Sequence, residues 1–186
     1  DWNNVEEIGD SAFSRCKKIT ELHFTDKIKS IGLEAFSYSG SLTTITFTGA
    51  TAIGASAFYG DEENEVGTAY SVTTLDLGKK ITSIDDGAFS YILGSVEVVI
   101  PASCTYVDAL AFDYFSDQED ASIYFEGNIE TYMAIDECWT DDFMSAAWES
   151  NEVVVAFYSE TTPSEDELTK DYKYWHYDEN NNKVLY

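Results

Sequence analysis

Six residues, Ile31-Gly32-Leu33-Glu34-Ala35-Phe36, recur in nearly the same form four more times, and no other feature constrains the chain as strongly. The other copies run from Ile8 to Phe13, Ile53 to Phe58, Ile84 to Phe89 and Val107 to Phe112. Their phenylalanines are separated by 23, 22, 31 and 23 residues. A step of this size marks a stacked repeat, in which each unit buries its apolar side only against its neighbours. One continuous core is therefore expected, without separate globular domains. The excess in the 31-residue step falls in the acidic, glycine-bearing stretch from Tyr59 to Thr68, which reads as a loop inserted into one turn.

Within each hexad, the apolar Ile and the Ala-Phe pair enclose small or polar residues. This spacing predicts a strand end followed by one tight helical turn. Gly9, Gly32 and Gly54 suit a corner with open backbone angles, and Asp85 and Asp108, which replace glycine in the later copies, tolerate the same angles. Ala lets neighbouring turns approach, and Phe fills the interior. A second pattern, apolar at positions 1, 4 and 6, lies between the hexads as Ile19/Leu22/Phe24, Leu42/Ile45/Phe47 and Val72/Leu75/Leu77. Two weaker copies keep Val98/Ile100 and Ile123/Phe125, with Ser95 and Asp120 at the first position. Alternation at positions 4 to 6 is the period of a half-buried strand, so each repeat should add one strand to a growing sheet.

If Leu22 and Phe24 point inward, the residues between them point out and stack from strand to strand. One outward column then contains Glu21, Thr44, Thr74, Glu97 and Ser122, and its neighbour contains His23, Thr46, Asp76, Val99 and Tyr124. These positions escape the packing constraint of the repeat and are the candidate ligand-binding residues. A threonine-rich face also simply suits β-sheet propensity.

After residue 126 the repeat decays. Apolar residues at helical spacing between Tyr132 and Glu149 suggest short helices, Val153 to Tyr158 reads as a buried strand, and Lys173–Tyr177 with Val184–Tyr186 reads as a hairpin. The expected division is therefore repeats over 1–131 and a capping segment over 132–186. At the other end, Trp2 and Val5 to Phe13 resemble the second half of a repeat, so the natural protein is expected to begin earlier.

Thirty-five acidic against ten basic residues give a net charge of −25, which repels phosphate backbones and argues against nucleic-acid binding. No apolar run approaches the length of a membrane span, so membrane insertion is not expected. Cys16, Cys104 and Cys138 have no disulfide or zinc spacing and read as small buried apolar residues. Only His23 and His176 are available as bases near neutrality, and they lie in different modules. The acid pairs Asp85-Asp86 and Asp141-Asp142 match no calcium loop, and no nucleophile, phosphate-loop or zincin motif occurs. Catalysis, a cofactor and a metal are accordingly not expected.

The two alternating patterns together resemble the BspA-like class of bacterial leucine-rich repeats. The segments Phe125 to Tyr132, Phe157 to Pro163 and Tyr174 to Tyr177 resemble the closing part of such proteins, with Asn128 and Tyr132 where the family usually has Thr and Trp. The resemblance covers almost the whole chain and implies a mostly β leucine-rich-repeat solenoid, right-handed with short helical turns, closed by an α+β capping module. It implies a non-enzymatic recognition module, secreted or on a bacterial cell surface, that adheres to an extracellular protein or glycan. A passive spacer within a larger surface protein is the alternative, and the oligomeric state stays open.

Overall fold

The computed structural model describes residues 2–49, 51–60, 70–94, 96–115, 121–127, 129, 132, 154–165 and 173–186. Among these, fifteen strands account for nearly all of the regular structure. Each repeat contributes two strands, one more than the sequence pattern predicts.

The first set opens the hexads. The two-residue strands β1 (Glu7–Ile8), β3 (Ser30–Ile31), β5 (Ala52–Ile53), β8 (Ser83–Ile84) and β11 (Tyr106–Val107) pair in parallel as one sheet in that order. Ile8, Ile31, Ile53, Ile84 and Val107 all point into the core. The second set follows the 1-4-6 pattern. Strands β2 (Glu21–Phe24), β4 (Thr44–Phe47) and β7 (Thr74–Asp76) form a three-stranded parallel sheet, with Leu22 opposite Ile45 and Ile45 opposite Leu75. Strands β10 (Glu97–Ile100), β12 (Ser122–Phe125), β13 (Val154–Tyr158), β14 (Lys173–Tyr177) and β15 (Lys183–Leu185) form a five-stranded sheet whose last pair is antiparallel. A short pair, β6 (Tyr70–Ser71) with β9 (Ile92–Leu93), precedes β7 and β10.

The interior is built by repetition. Phe13, Phe36, Phe58, Phe89 and Phe112 stack in one column with ring centroids 5.2–5.4 Å apart. Phe24 and Phe47 form a second column at 4.9 Å. Each buried ring contributes about 1.5–3 kcal/mol by leaving water. Phe13 and Ala12 are less covered than their later counterparts because the first copy has a neighbour on one side only; Trp2 lies 5.8 Å from Phe13 and 5.6 Å from Phe24 and partly closes that end.

The hexad turns depart from expectation in two ways. The expected helical turn does not form, because the fourth residue is in the left-handed region: Ser11 (φ 53°), Glu34 (54°), Ser56 (52°) and Gly87 (60°). Every second amide then donates to the next repeat, as in Glu34 N–H to Ala55 O (3.0 Å), Phe36 to Ala57 (2.8 Å) and Tyr38 to Tyr59 (2.9 Å). The turns are thus a third hydrogen-bonded ladder, and the amides between donate locally, as in Ala35 N–H to Gly32 O (3.3 Å) and Ser37 N–H to Glu34 O (3.1 Å), so isolated turns alternate with cross-repeat bonds and no continuous helix is built. The second correction concerns Gly32 and Gly54. Neither needs a positive φ. Each is there for space, since a Cβ on Gly54 would lie 2.8 Å from the carbonyl oxygen of Ile31.

Two weak rungs are repaired by a shift of one residue. Ser95 and Asp120 lie outside the described residues, but Val96 and Ala121, next in the chain, are buried. Cys104 is also buried and occupies the place of Ile28 and Ile81, three residues before the hexad; burial pushes its thiol up to about 12. Cys16, by contrast, is only half-buried, which corrects the expectation for that residue. Cys138, the bulk of the acidic insertion and the expected helices after Tyr132 fall outside the described residues. Tyr132 itself is fully buried, packs 4.9 Å from Phe125 and donates its hydroxyl to Cys104 O at 2.9 Å.

Candidate binding face

Strand alternation places the candidate residues as the column pattern requires over the first three outer strands. Glu21, Thr44 and Thr74 are in register, as are His23, Thr46 and Asp76. Their neighbours Leu22, Phe24, Ile45, Phe47 and Leu75 are buried, and Glu21, His23, Thr74 and Asp76 are exposed. The face is polar and partly self-paired: His23 Nδ1 lies 2.9 Å from Thr46 Oγ1, and its Nε2 lies 3.5 Å from a Glu21 carboxylate oxygen.

The columns do not continue unbroken. The outer sheet stops at β7 and a new one starts at β10, so Thr74 and Asp76 are not paired with Glu97 and Val99. A groove of about 510 Å³ lies there, lined by residues that include Thr74, Asp76, Glu97 and Val99. Beyond it, register resumes, with Glu97 opposite Ser122 and Val99 opposite Tyr124.

In this second half the outward residues meet the chain's own C-terminal hairpin. Lys183 of β15 forms an ion pair with Glu97 and sits 4.9 Å over the Tyr124 ring. Tyr124 also packs edge-on against Trp175 at 5.4 Å. Trp175 is fully buried and donates its indole N–H to Phe125 O at 3.1 Å. Ser122 is 9% exposed. A second tie joins Lys79, just after β7, to Glu126, which also accepts from the Tyr177 hydroxyl at 3.0 Å. The hydrogen bond to Glu126 raises the Lys79 pKa, while burial, reinforced by Glu126, raises that of Tyr177.

A different surface feature escaped the sequence pattern. Tyr38, Tyr59, Tyr91 and Tyr114 form an aromatic column along the turns, with centroids 5.8, 5.3 and 4.8 Å apart, and Arg15 continues it at 4.9 Å from Tyr38. Its signal is a tyrosine one or two places after each hexad Phe from Phe36 onward, with Arg15 in that place after Phe13. Around Tyr106, whose hydroxyl donates to Asp108 at 3.1 Å, the acids Asp85, Asp86 and Asp108 gather. Burial and the neighbouring Asp108 raise the pKa of both Asp85 and Asp86. Among the described residues no group of His, Cys, Asp and Glu has the geometry to hold a metal, and no helix is long and apolar enough to cross a membrane.

A model of the BspA type leucine rich repeat region matches residues 2–118 and 64–133, in six copies. The chain belongs to this family. BspA-type repeats are a module of bacterial surface proteins, and the family match accounts for the recurring interior: the Ile strand, the Ala-Phe turn and the outer strand. It ends at residue 133, so β13, β14 and β15, which extend the β10–β12 sheet, lie outside the matched BspA-type repeats. No curated protein and no solved structure matches the chain.

Proposed function

We propose that this BspA-type chain is a non-enzymatic recognition module of a secreted or surface-exposed bacterial protein. In this reading its ladders close into a right-handed solenoid over residues 1–131, and residues 132–186 cap the final rung. The partner is an extracellular protein or glycan held on the outer strands. The observation that carries the reading is the outward register of exposed Glu21, Thr74, His23 and Asp76 with half-buried Thr44 and Thr46 on a scaffold cross-linked by backbone bonds. Such positions can vary without disturbing the core, and a rigid platform lowers the ordering cost of binding.

A glycan and matrix-protein array tests this directly. Changing Glu21, His23 and Asp76 together to Ala should abolish binding of the partner so found, with Tm within about 5 °C of the parent. Unchanged binding would remove the face from consideration. One observation favours the passive-spacer reading: His23, Thr46 and Glu21 satisfy one another, as an inert face would. An array with no partner above background would support that alternative.

A further inference from the structure

The groove between β7 and β10 is framed at both ends. Before it, β6 pairs with β9, and Gly94 (φ 149°) comes so close to Val72 O that a Cβ there would clash with that carbonyl. After it, the Ser103 hydroxyl lies 3.1 Å from Lys79 O and 2.8 Å from Ile81 O, and Thr105 N–H donates to Thr82 O at 3.1 Å. The two chain segments are therefore tied on either side and part only between Thr74–Leu77 and Val96–Val99. This opening is a slot held by its frame, and its volume of about 510 Å³ is in the range of ligand sites.

We propose that the slot receives a lysine or arginine side chain from an extended, basic segment of a partner protein. The proposal rests on the reading of the outer strands as a recognition face and names the chemistry of the occupant. Half-buried Val99 supplies apolar side-chain surface in the slot, and the exposed carboxylates of Asp76 and Glu97 stand at its rim. An apolar lining under an anionic rim suits a side chain with an aliphatic stem and a cationic head. Lys79, which lines the slot, is paired with Glu126, and Lys183 with Glu97. Lys183 also shows how the rim holds an ammonium group, between the Glu97 carboxylate and the Tyr124 ring. The facing edges of β7 and β10 belong to different sheets, so an extended segment crossing the mouth finds backbone partners there. The net charge of −25 draws a basic segment in and repels both phosphate backbones and a second copy of this chain.

Fluorescence anisotropy with a labelled octapeptide of alternating Thr and Lys, against one of alternating Thr and Glu, tests the slot. The Lys peptide should bind and the Glu peptide should not. Asp76→Asn with Glu97→Gln should weaken binding by about tenfold. The Asp76→Asn side chain keeps an oxygen that can accept the Gly78 amide hydrogen bond, which Asp76 takes at 2.8 Å. The charge-matched control, Glu7→Gln with Glu34→Gln, should change binding by less than about twofold, because those exposed carboxylates, in β1 and the second hexad, lie outside the slot and the outward columns and are screened. Lys183→Ala frees Glu97 and should tighten binding by about threefold. Equal loss in the control, or equal binding of the two peptides, overturns the proposal. If the Lys peptide fails to bind while an array partner depends on Glu21 and His23, the slot is refuted and the wider face stands. If neither binds, both readings fall.

Discussion

The two outer sheets start from the same strand pattern and end in opposite situations. In β2, β4 and β7 the outward column residues point away from the core, with side-chain partners such as the neighbouring column residues and, for Asp76, the Gly78 amide. In β10 and β12 the equivalent positions lie against the hairpin of β14 and β15, through Lys183 on Glu97 and Tyr124 and through Trp175 on Tyr124. What the repeat dictates is the interior, which is alike in both halves. The outer face is shaped by a segment that does not repeat, so Glu21 and His23 stand clear of the hairpin while Glu97 and Tyr124, in the same columns, are tied to it.

Removing the non-repeating cover should therefore be far more costly than changing the open face. Trp175→Ala deletes a fully buried ring that packs on Tyr124, Tyr158 and Tyr177 and hydrogen-bonds to Phe125 O. The expected loss is about 3–5 kcal/mol in urea unfolding. His23→Ala on the open sheet should stay within about 0.5 kcal/mol. Similar losses for the two would erase the distinction between the halves.

The hairpin's ionic tie is a finer probe. Lys183→Ala removes an ion pair and a cation–π contact at a side chain that is 22% exposed, with an expected cost of about 1 kcal/mol that shrinks as salt rises. A cost independent of salt would mean that Lys183 acts by packing alone.

The interior was readable in the sequence because it is periodic: buried Ile, Ala and Phe return at one step, and each return confirms the last. The terminal strands were readable too, from the run Val153 to Tyr158 and the aromatic cluster at Lys173 to Tyr177. Three features were not. The left-handed residue in the first four hexads is Ser, Glu, Ser or Gly, so residue type did not reveal it; the conspicuous glycine serves the close approach of neighbouring turns. The split between β7 and β10 depends on backbone ties at Val72/Gly94 and Lys79/Ser103, contacts between segments that have no pattern of their own. The cover over Glu97 and Tyr124 comes from Lys183, 86 residues after Glu97, a distance no local pattern spans. The candidate columns were thus in register within each outer sheet and silent about the break between β7 and β10 and about which members would be covered.

The hexads differ between the halves as well. Gly32 and Gly54 stand where Asp85 and Asp108 stand later, and the later pair brings like charges together. Asp85 and Asp86 bind a proton more tightly in the folded chain than in the unfolded one, first through burial and then through Asp108. Their contribution to stability therefore falls as pH climbs through those raised values. Asp108→Asn can keep the acceptor used by Leu110 N–H at 2.9 Å while removing the charge. Thermal unfolding should show Tm higher by about 1–2 °C at neutral pH, with the gain vanishing below about pH 3. A loss of Tm at neutral pH would show that the Asp108 charge is stabilising.

The contrast between an open and a covered column is measured most directly by thiol labelling. Thr74→Cys and Ser122→Cys place nearly isosteric probes in the same outward column, one exposed and one 9% exposed, in a background with Cys16, Cys104 and Cys138 replaced by Ala. The account predicts that the thiol at 74 reacts with a maleimide at the rate of a free cysteine and that the thiol at 122 reacts at least about tenfold more slowly, since labelling there requires local opening. Equal rates at the two positions would contradict it.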